Sequence, residues 1–225
     1  MTLVVALALA AVVGAVGRAT TRLLATGGYR MPEDQPSRPL GMRWWPTVAM
    51  GLLAAYAGWR LGDLAAWAAL PAYLLFAWTS VVLIWIDLDV HRLPFGVVLP
   101  ATLGTAALLA VASVAAGGWR WLWALGGALG LWAFFAVLSR VPGGVGGGDV
   151  MLAPMIGLLL GWLSPVHVLV GLFATFLVGG AQAALLLLTG RVGPKDAVAF
   201  GPAMCVGAWI AIGSTSQIVT LVFSV

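Results

Sequence analysis

Apolar residues fill eight long stretches of this chain, and polar residues are confined to the short segments between them. A helix needs about 20 mainly apolar residues to cross a bilayer, and most of the stretches approach or reach that length. The pattern therefore predicts an all-α polytopic membrane protein with about eight transmembrane helices. They are expected at about 2–17, 44–59, 65–86, 95–116, 120–139, 150–164, 166–189 and 200–222.

The composition supports this interpretation. Of the 225 residues, 62% are hydrophobic and 8% are charged, whereas a soluble domain carries about 25% charged residues. Little chain is left outside the apolar stretches, so we expect a single integral membrane domain over 1–225. The longest connection, about 18–43, is predicted to be a short loop. Thirty glycines are typical of close packing between transmembrane helices.

The basic balance of the chain does not indicate a nucleic-acid partner. The sequence pI is about 10.0, but the basic residues are spread over short loops and form no patch or stripe. Cys205 is the single cysteine, which excludes an intramolecular disulfide and a cysteine metal cluster. We expect membrane lipid as a partner, no nucleic acid, and no metal or other cofactor.

The loops between the apolar stretches are charged asymmetrically. One side carries nine basic residues, and the other side carries only Arg60 and Arg120. Because lysine and arginine accumulate in cytoplasmic loops, the side with nine basic residues should be cytoplasmic, and both termini should lie outside. The nine residues are Arg18, Arg22, Arg30, Arg38, Arg43, Arg92, Arg140, Arg191 and Lys195.

The acidic residues differ in their positions relative to the membrane. Glu33, Asp34 and Asp196 fall in hydrophilic loops and need no special explanation. Asp63 directly precedes the third apolar stretch, and we expect it to cap the N-terminus of that helix. The remaining acids lie where apolar stretches meet the predicted cytoplasmic face.

Asp87 and Asp89 stand where the third stretch leaves the membrane, and Asp149 stands where the sixth enters it. An odd helix leaves and an even helix enters on the same side, so the topology predicts one depth for all three acids. Carboxylates at membrane depth are costly and are by default functional. Two neighbouring carboxylates share a proton, so they can activate a water and protonate a leaving amine.

Structural roles remain open for these acids. An alternative explanation of Asp149 alone is an N-cap of the sixth helix. Asp87 and Asp89 have the alternative of being ordinary interface residues, with the charge of Asp89 neutralised by His91 or Arg92.

Two motifs together are more specific than either alone. The stretch "WIDLDVHRLPFGVVLP" at 85–100 and the stretch "GVGGGDVMLAPMIGLLLGW" at 144–162 resemble the Ile-Asp-x-Asp and Gly-x-Gly-Asp motifs of the type IV prepilin peptidases. The stretch "AFGPAMCVGAWIA" at 199–211 resembles the C-terminal Phe-Gly-Pro segment of that family.

The resemblance implies an intramembrane aspartic endopeptidase that removes the basic leader of prepilin or pseudopilin substrates at the cytoplasmic face. Asp87 and Asp149 match the catalytic aspartates of the family, and Asp89 matches a supporting acid. Gly146 and Gly148 match the loop glycines, which would let the backbone approach an extended substrate. We also expect the acidic cluster to attract the basic leader.

The chain departs from the family pattern in two places. Met151 stands where the family commonly has lysine, two residues after the second catalytic aspartate. The 18–43 connection is short and has no cysteine, whereas long family members carry a cysteine-rich cytoplasmic insertion there. The chain therefore resembles a short form, and we do not expect the N-methyltransferase activity of the long members.

Two other classes of function are weaker. A proton-coupled transporter could use the same carboxylates, but such sites usually lie near the bilayer midplane within repeated halves. In a non-enzymatic membrane subunit, the acids would be caps and interface residues. Metalloprotease and serine-hydrolase motifs (His-Glu-x-x-His and Gly-x-Ser-x-Gly) are absent from the sequence.

Overall fold

A computed structural model describes residues 2–34, 44–64, 66–116, 118–141, 144–190 and 199–214. All regular structure in these ranges is helical, which confirms the all-α prediction. The α-helices are α1 (Thr2–Ala25), α2 (Trp45–Asp63), α3 (Leu70–Val90), α4 (Phe95–Ala116), α5 (Trp119–Leu138), α6 (Gly147–Leu163), α7 (Pro165–Leu188) and α8 (Gly201–Gly213), and a 3₁₀ turn at Trp67–Ala69 precedes α3.

Four segments among the described residues are long and apolar enough to cross a membrane. They are Trp67–Val90, α4, α5 and α7. Helices α6 and α8 are apolar but shorter, and the predicted end of the eighth stretch, 215–222, lies outside the described residues. The chain is therefore a helical membrane protein, while the predicted count of eight spans stays a prediction.

The chain forms two compact units, 1–117 and 118–225. In the first unit, α1 packs on α2 and their backbones approach closely at glycines. A Cβ atom at Gly17 would lie 3.0 Å from Thr47 Cα, and one at Gly51 would lie 3.1 Å from the Ala10 carbonyl oxygen. Small residues thus set the distance between these two helices.

Helix α1 is longer than the first predicted span. It continues to Ala25, so the beginning of the predicted 18–43 loop is helical and this boundary is corrected. Residues 18–25 contain no glycine or proline that would end the helix. The hydroxyl of Thr21 donates to the Gly17 carbonyl at 2.7 Å, and the chain turns only at Gly27, whose φ is 69°.

The predicted capping role of Asp63 is wrong. Asp63 is the last residue of α2, and the N-cap position of α3 is Ala69. Helix α3 starts late because Pro71 stands in its first turn, where a fixed φ and a missing N–H are tolerated.

The second unit is held together by close glycine contacts between helices. A Cβ atom at Gly157 would collide with the carbonyl oxygen of Gly127, and one at Gly161 would collide with that of Trp123. Helices α5 and α6 therefore pack backbone to backbone along a Gly-x-x-x-Gly stripe. Likewise, a Cβ atom at Gly207 of α8 would lie 2.6 Å from the Thr175 nitrogen of α7.

Candidate active site

The first motif lies at the C-terminal end of α3. Asp87 is 5% exposed and Asp89 is 1% exposed. His91 follows in the left-handed region with a φ of 51°, and its backbone N–H donates to the Asp87 carbonyl at 3.0 Å. Histidine is among the residues that tolerate this conformation better than most. His91 therefore ends the helix one turn after Asp87.

The two acids of this motif lie on different faces of α3. Residues two apart on a helix are turned by roughly 200° from each other, so their side chains do not share a face. The structure thus brings Asp87 and Asp89 to the same helix end but directs them differently.

Asp89 is bound by two side chains that follow α1. The Tyr29 hydroxyl donates to Asp89 Oδ2 at 2.6 Å, Arg30 Nε donates to the same oxygen at 2.7 Å, and Arg30 Nη2 donates to Oδ1 at 3.0 Å. The guanidinium contact is bidentate, the strongest geometry for this pair. Trp85 Nε1 donates to the Tyr29 oxygen at 3.1 Å, so the phenol is itself held in place.

The predicted neutralisation of Asp89 by His91 or Arg92 is therefore wrong. Arg92 instead pairs with Asp34 at 2.8 Å, and Asp34 also accepts the Met31 backbone N–H at 2.7 Å. Two ion pairs thus hold residues 29–34, which we call the 29–34 segment, against the end of α3.

Sequence reasoning missed Tyr29, Arg30 and Asp34 as members of this network. They lie about 60 residues from their partners, and nothing in a short loop marks which residue will reach a distant carboxylate. The network also keeps its donors protonated. Burial and the hydrogen bond to Asp89 raise the pKa of Tyr29, and the hydrogen bond to Asp89 raises the pKa of Arg30.

The second motif lies at the start of α6, in the second unit. The helix begins at Gly147 with Gly146 as its N-cap, so Asp149 is the third helical residue and not the N-cap itself. Asp149 Oδ2 accepts the Gly146 backbone N–H at 3.0 Å, and the residue is 8% exposed. The capping expectation is thus corrected in position, because Asp149 caps the helix from inside its first turn.

The glycines of this motif are not equivalent. A Cβ atom at Gly144 would collide with the carbonyl oxygens of Leu138 and Val141, whereas one at Gly147 would meet nothing within 4 Å. At Gly146 it would lie 3.4 Å from Asp149 Oδ2. The backbone therefore requires glycine at Gly144, a position that the sequence analysis did not single out.

Gly148 lies within the first turn of α6. The expected role of Gly146 and Gly148 in admitting a substrate backbone stays a prediction. Met151 is 39% exposed on α6, so the position where the family commonly has lysine is accessible.

The third motif anchors the start of α8. The Phe200 ring lies 5.7 Å from that of Phe176 and 6.3 Å from that of Phe135, measured between centroids. Gln182 Nε2 donates to the Ala199 carbonyl at 3.0 Å. These contacts give the Phe-Gly-Pro segment a packing role within the second unit.

No group of three or more metal-ligating side chains occurs in the described part of the chain. What these helices present is a pair of acidic motifs, one at the end of a membrane-spanning helix and one at the start of an apolar helix. The class of protein is thus a helical membrane protein with buried carboxylates at two helix ends.

Comparison with known proteins identifies the family. The model of the type IV leader peptidase family matches residues 74–184, a range that includes Asp87, Asp89 and Asp149. The chain belongs to this family. Together with its apolar helices, this membership indicates a multi-pass protein of the bacterial inner membrane.

Several curated relatives, each named a prepilin leader peptidase/N-methyltransferase, are similar to this chain. The Pseudomonas aeruginosa protein is 32% identical over 173 residues, which are 73% of this chain and 56% of that protein. The Aeromonas hydrophila protein is 31% identical over 149 residues, 65% of this chain and 50% of that protein. The Bacillus subtilis protein is 37% identical over 93 residues, 40% of this chain and 36% of that protein.

The chain thus spans about half the length of the first two of these relatives. No solved structure matches it significantly.

Proposed function

We propose that this protein is an intramembrane aspartic endopeptidase that removes the basic leader from type IV prepilin-like or pseudopilin substrates. The observation that carries the proposal is the presence of two aspartate motifs within the family match, each with a buried carboxylate at a helix end. The names of the relatives support the substrate class.

Asp87 and Asp149 are the catalytic carboxylates in this proposal, and their surroundings favour different roles, one as general base and one as general acid. Asp149 lies at a helix N-terminus and accepts a backbone N–H, both of which stabilise negative charge. Asp87 lies at a helix C-terminus, where negative charge is disfavoured. Asp149 would then activate the attacking water, and Asp87 would hold the proton that the departing amine takes.

Asp89 is a positioning residue in this proposal. Its charge is compensated by Arg30 and its oxygens are occupied by Arg30 and Tyr29. It therefore contributes little to the attraction of a basic leader, which revises the expectation of a three-acid cluster. Its task is to fix the end of α3, two residues after Asp87, against the 29–34 segment.

The topology is part of the proposal. Eight membrane crossings with both termini outside would place nine basic residues on the cytoplasmic side and two on the other. Under this topology both aspartate motifs face the cytoplasm. The substrate's leader would remain there, while its apolar helix would lie in the bilayer and pack on the enzyme's helices.

The test is cleavage of a synthetic prepilin-type peptide, with a basic leader and an apolar helix, by the purified protein in lipid vesicles. We expect one new N-terminus at the leader junction, and a slower reaction when the leader's basic residues are replaced by glutamine. No cleavage of any such peptide, together with proton-coupled uptake of a solute into the same vesicles, would favour a transporter and overturn the proposal.

A further inference from the structure

A cavity of about 540 Å³ lies in the first unit where the last turns of α1 meet the first turn of α2. Its wall includes two arginines from α1, Arg18 and Arg22, and two residues from the start of α2, Thr47 and Trp44. The aspartate motifs take no part in it.

The two arginines of this cavity differ from others in the same unit. Arg30 is paired with Asp89 and Arg92 with Asp34, whereas no carboxylate of the described residues pairs with Arg18 or Arg22. The segment 35–43, "QPSRPLGMR", contains no acidic residue in its sequence either. Two positive charges on one helix face, four residues apart, therefore line a cavity without a counter-charge from the described protein.

The cavity lies at a boundary between apolar and polar surface on α1. The preceding part of the helix exposes apolar side chains, with Val12 65% and Val16 50% exposed. Trp44, at the start of α2, is 60% exposed. Exposed aliphatic side chains that give way to arginine beside a tryptophan are typical of the level of lipid headgroups.

We propose that this cavity binds the phosphate of an anionic phospholipid headgroup. Arg18 and Arg22 supply the charge, and Thr47, whose hydroxyl lies 3.4 Å from that of Thr21, also lines the cavity. The acyl chains would run along the exposed apolar face of α1. A basic cavity between helices at headgroup level is the usual site for such lipids, and the inference does not depend on peptidase activity.

The test is native mass spectrometry of the purified full chain in neutral detergent with added phosphatidylglycerol or phosphatidylcholine. We expect the wild-type protein to retain phosphatidylglycerol preferentially. The double variant Arg18→Gln/Arg22→Gln should bind it roughly 10- to 30-fold more weakly, since each basic residue near an anionic lipid contributes a factor of about five. The matched variant Arg140→Gln removes an exposed arginine of the second unit and should bind as the wild type does.

Four results would overturn this proposal. The first is equal retention of the two lipids by the wild-type protein, and the second is unchanged retention by the double variant. Another is stabilisation by inorganic phosphate alone that equals stabilisation by phosphatidylglycerol, which would identify a free-anion site. The last is a raised KM of the double variant for a prepilin peptide in lipid-free detergent, with its lipid retention unchanged. That result would show that the two arginines bind the substrate and not a lipid.

Discussion

Asp89, near the end of α3, and Asp149, at the start of α6, are both buried but are stabilised by different kinds of groups. Asp89 is held by the side chains of Tyr29 and Arg30, about 60 residues earlier in the chain. Asp149 is held by the backbone N–H of Gly146, three residues earlier. The contacts of Asp89 with Tyr29 and Arg30 are tertiary, while the contact of Asp149 with Gly146 lies at the start of its own helix.

This difference determines how each region should respond to change. The end of α3 should be sensitive to substitutions in the 29–34 segment, far away in sequence. The start of α6 should be sensitive mainly to its own glycines. Substitutions in these two regions therefore distinguish a site held by residues distant in sequence from one held by residues of its own helix.

The largest effects among these substitutions are expected at the Asp89–Arg30 pair. Asp89→Asn removes a charge-assisted contact worth about 1.5–3 kcal/mol and should lower both the thermal midpoint and kcat. Arg30→Ala should act in the same direction because it leaves the Asp89 carboxylate uncompensated, and Arg30→Lys should restore part of the loss.

The kinetic signature separates positioning from substrate contact for this pair. If Asp89 positions the end of α3, kcat falls while KM for a basic leader changes little. A raised KM with unchanged kcat and unchanged thermal midpoint would show that Asp89 contacts the leader instead.

The glycine run before α6 offers a matched pair of substitutions. Gly144→Ala should destabilise the protein, because its Cβ would collide with the carbonyl oxygens of Leu138 and Val141. Gly147→Ala adds a methyl group in open space and should leave stability unchanged or raise it by about 0.4–1 kcal/mol. Thermal unfolding followed by circular dichroism measures both, and equal midpoints for the two variants would contradict this account of the turn.

Tyr29→Phe should have a smaller effect than the loss of the Asp89 charge. It removes one hydrogen bond to Asp89 and one from Trp85, a loss of about 1 kcal/mol for each. Folding raises the pKa of Tyr29. The hydrogen bonds of the neutral phenol therefore stabilise the protein fully at any pH below the ordinary pKa of tyrosine. This stabilisation is lost only when the pH rises through the higher pKa that Tyr29 has in the folded protein. The difference in thermal midpoint between the two proteins should therefore persist at pH 9, and its disappearance there would argue against a raised pKa.

The smallest effect is expected at Met151, which is partly exposed. Met151→Lys should change the free energy of unfolding by no more than about 0.5 kcal/mol and should retain cleavage. Met151→Leu is the control for side-chain volume. Loss of cleavage in both variants, with folding intact, would show that the methionine side chain contacts the substrate.

Local features of this protein were predictable from its sequence. The helices follow from apolar run length, and the link between Asp149 and the start of α6 follows from a glycine run before an apolar stretch. Features that depend on distant contacts were not predictable. Arg30 was counted only as one of nine basic loop residues, although the fold brings it to Asp89.

Two further errors also have physical reasons. Helix α1 extends past the apolar run because Thr20 and Thr21 satisfy their hydroxyls on the helix's own carbonyls, so polarity did not end it. The role of Asp63 was misjudged because Pro71 shifts the start of α3 further along the chain.

The central claim is that Asp87 and Asp149 carry the chemistry while Asp89 positions one of them. The most direct measurement compares prepilin cleavage by purified Asp87→Asn, Asp149→Asn and Asp89→Asn proteins, each first shown to be folded in the membrane. This account predicts no detectable cleavage by the first two and a reduced but measurable rate for the third. Normal cleavage by either Asp87→Asn or Asp149→Asn would contradict it.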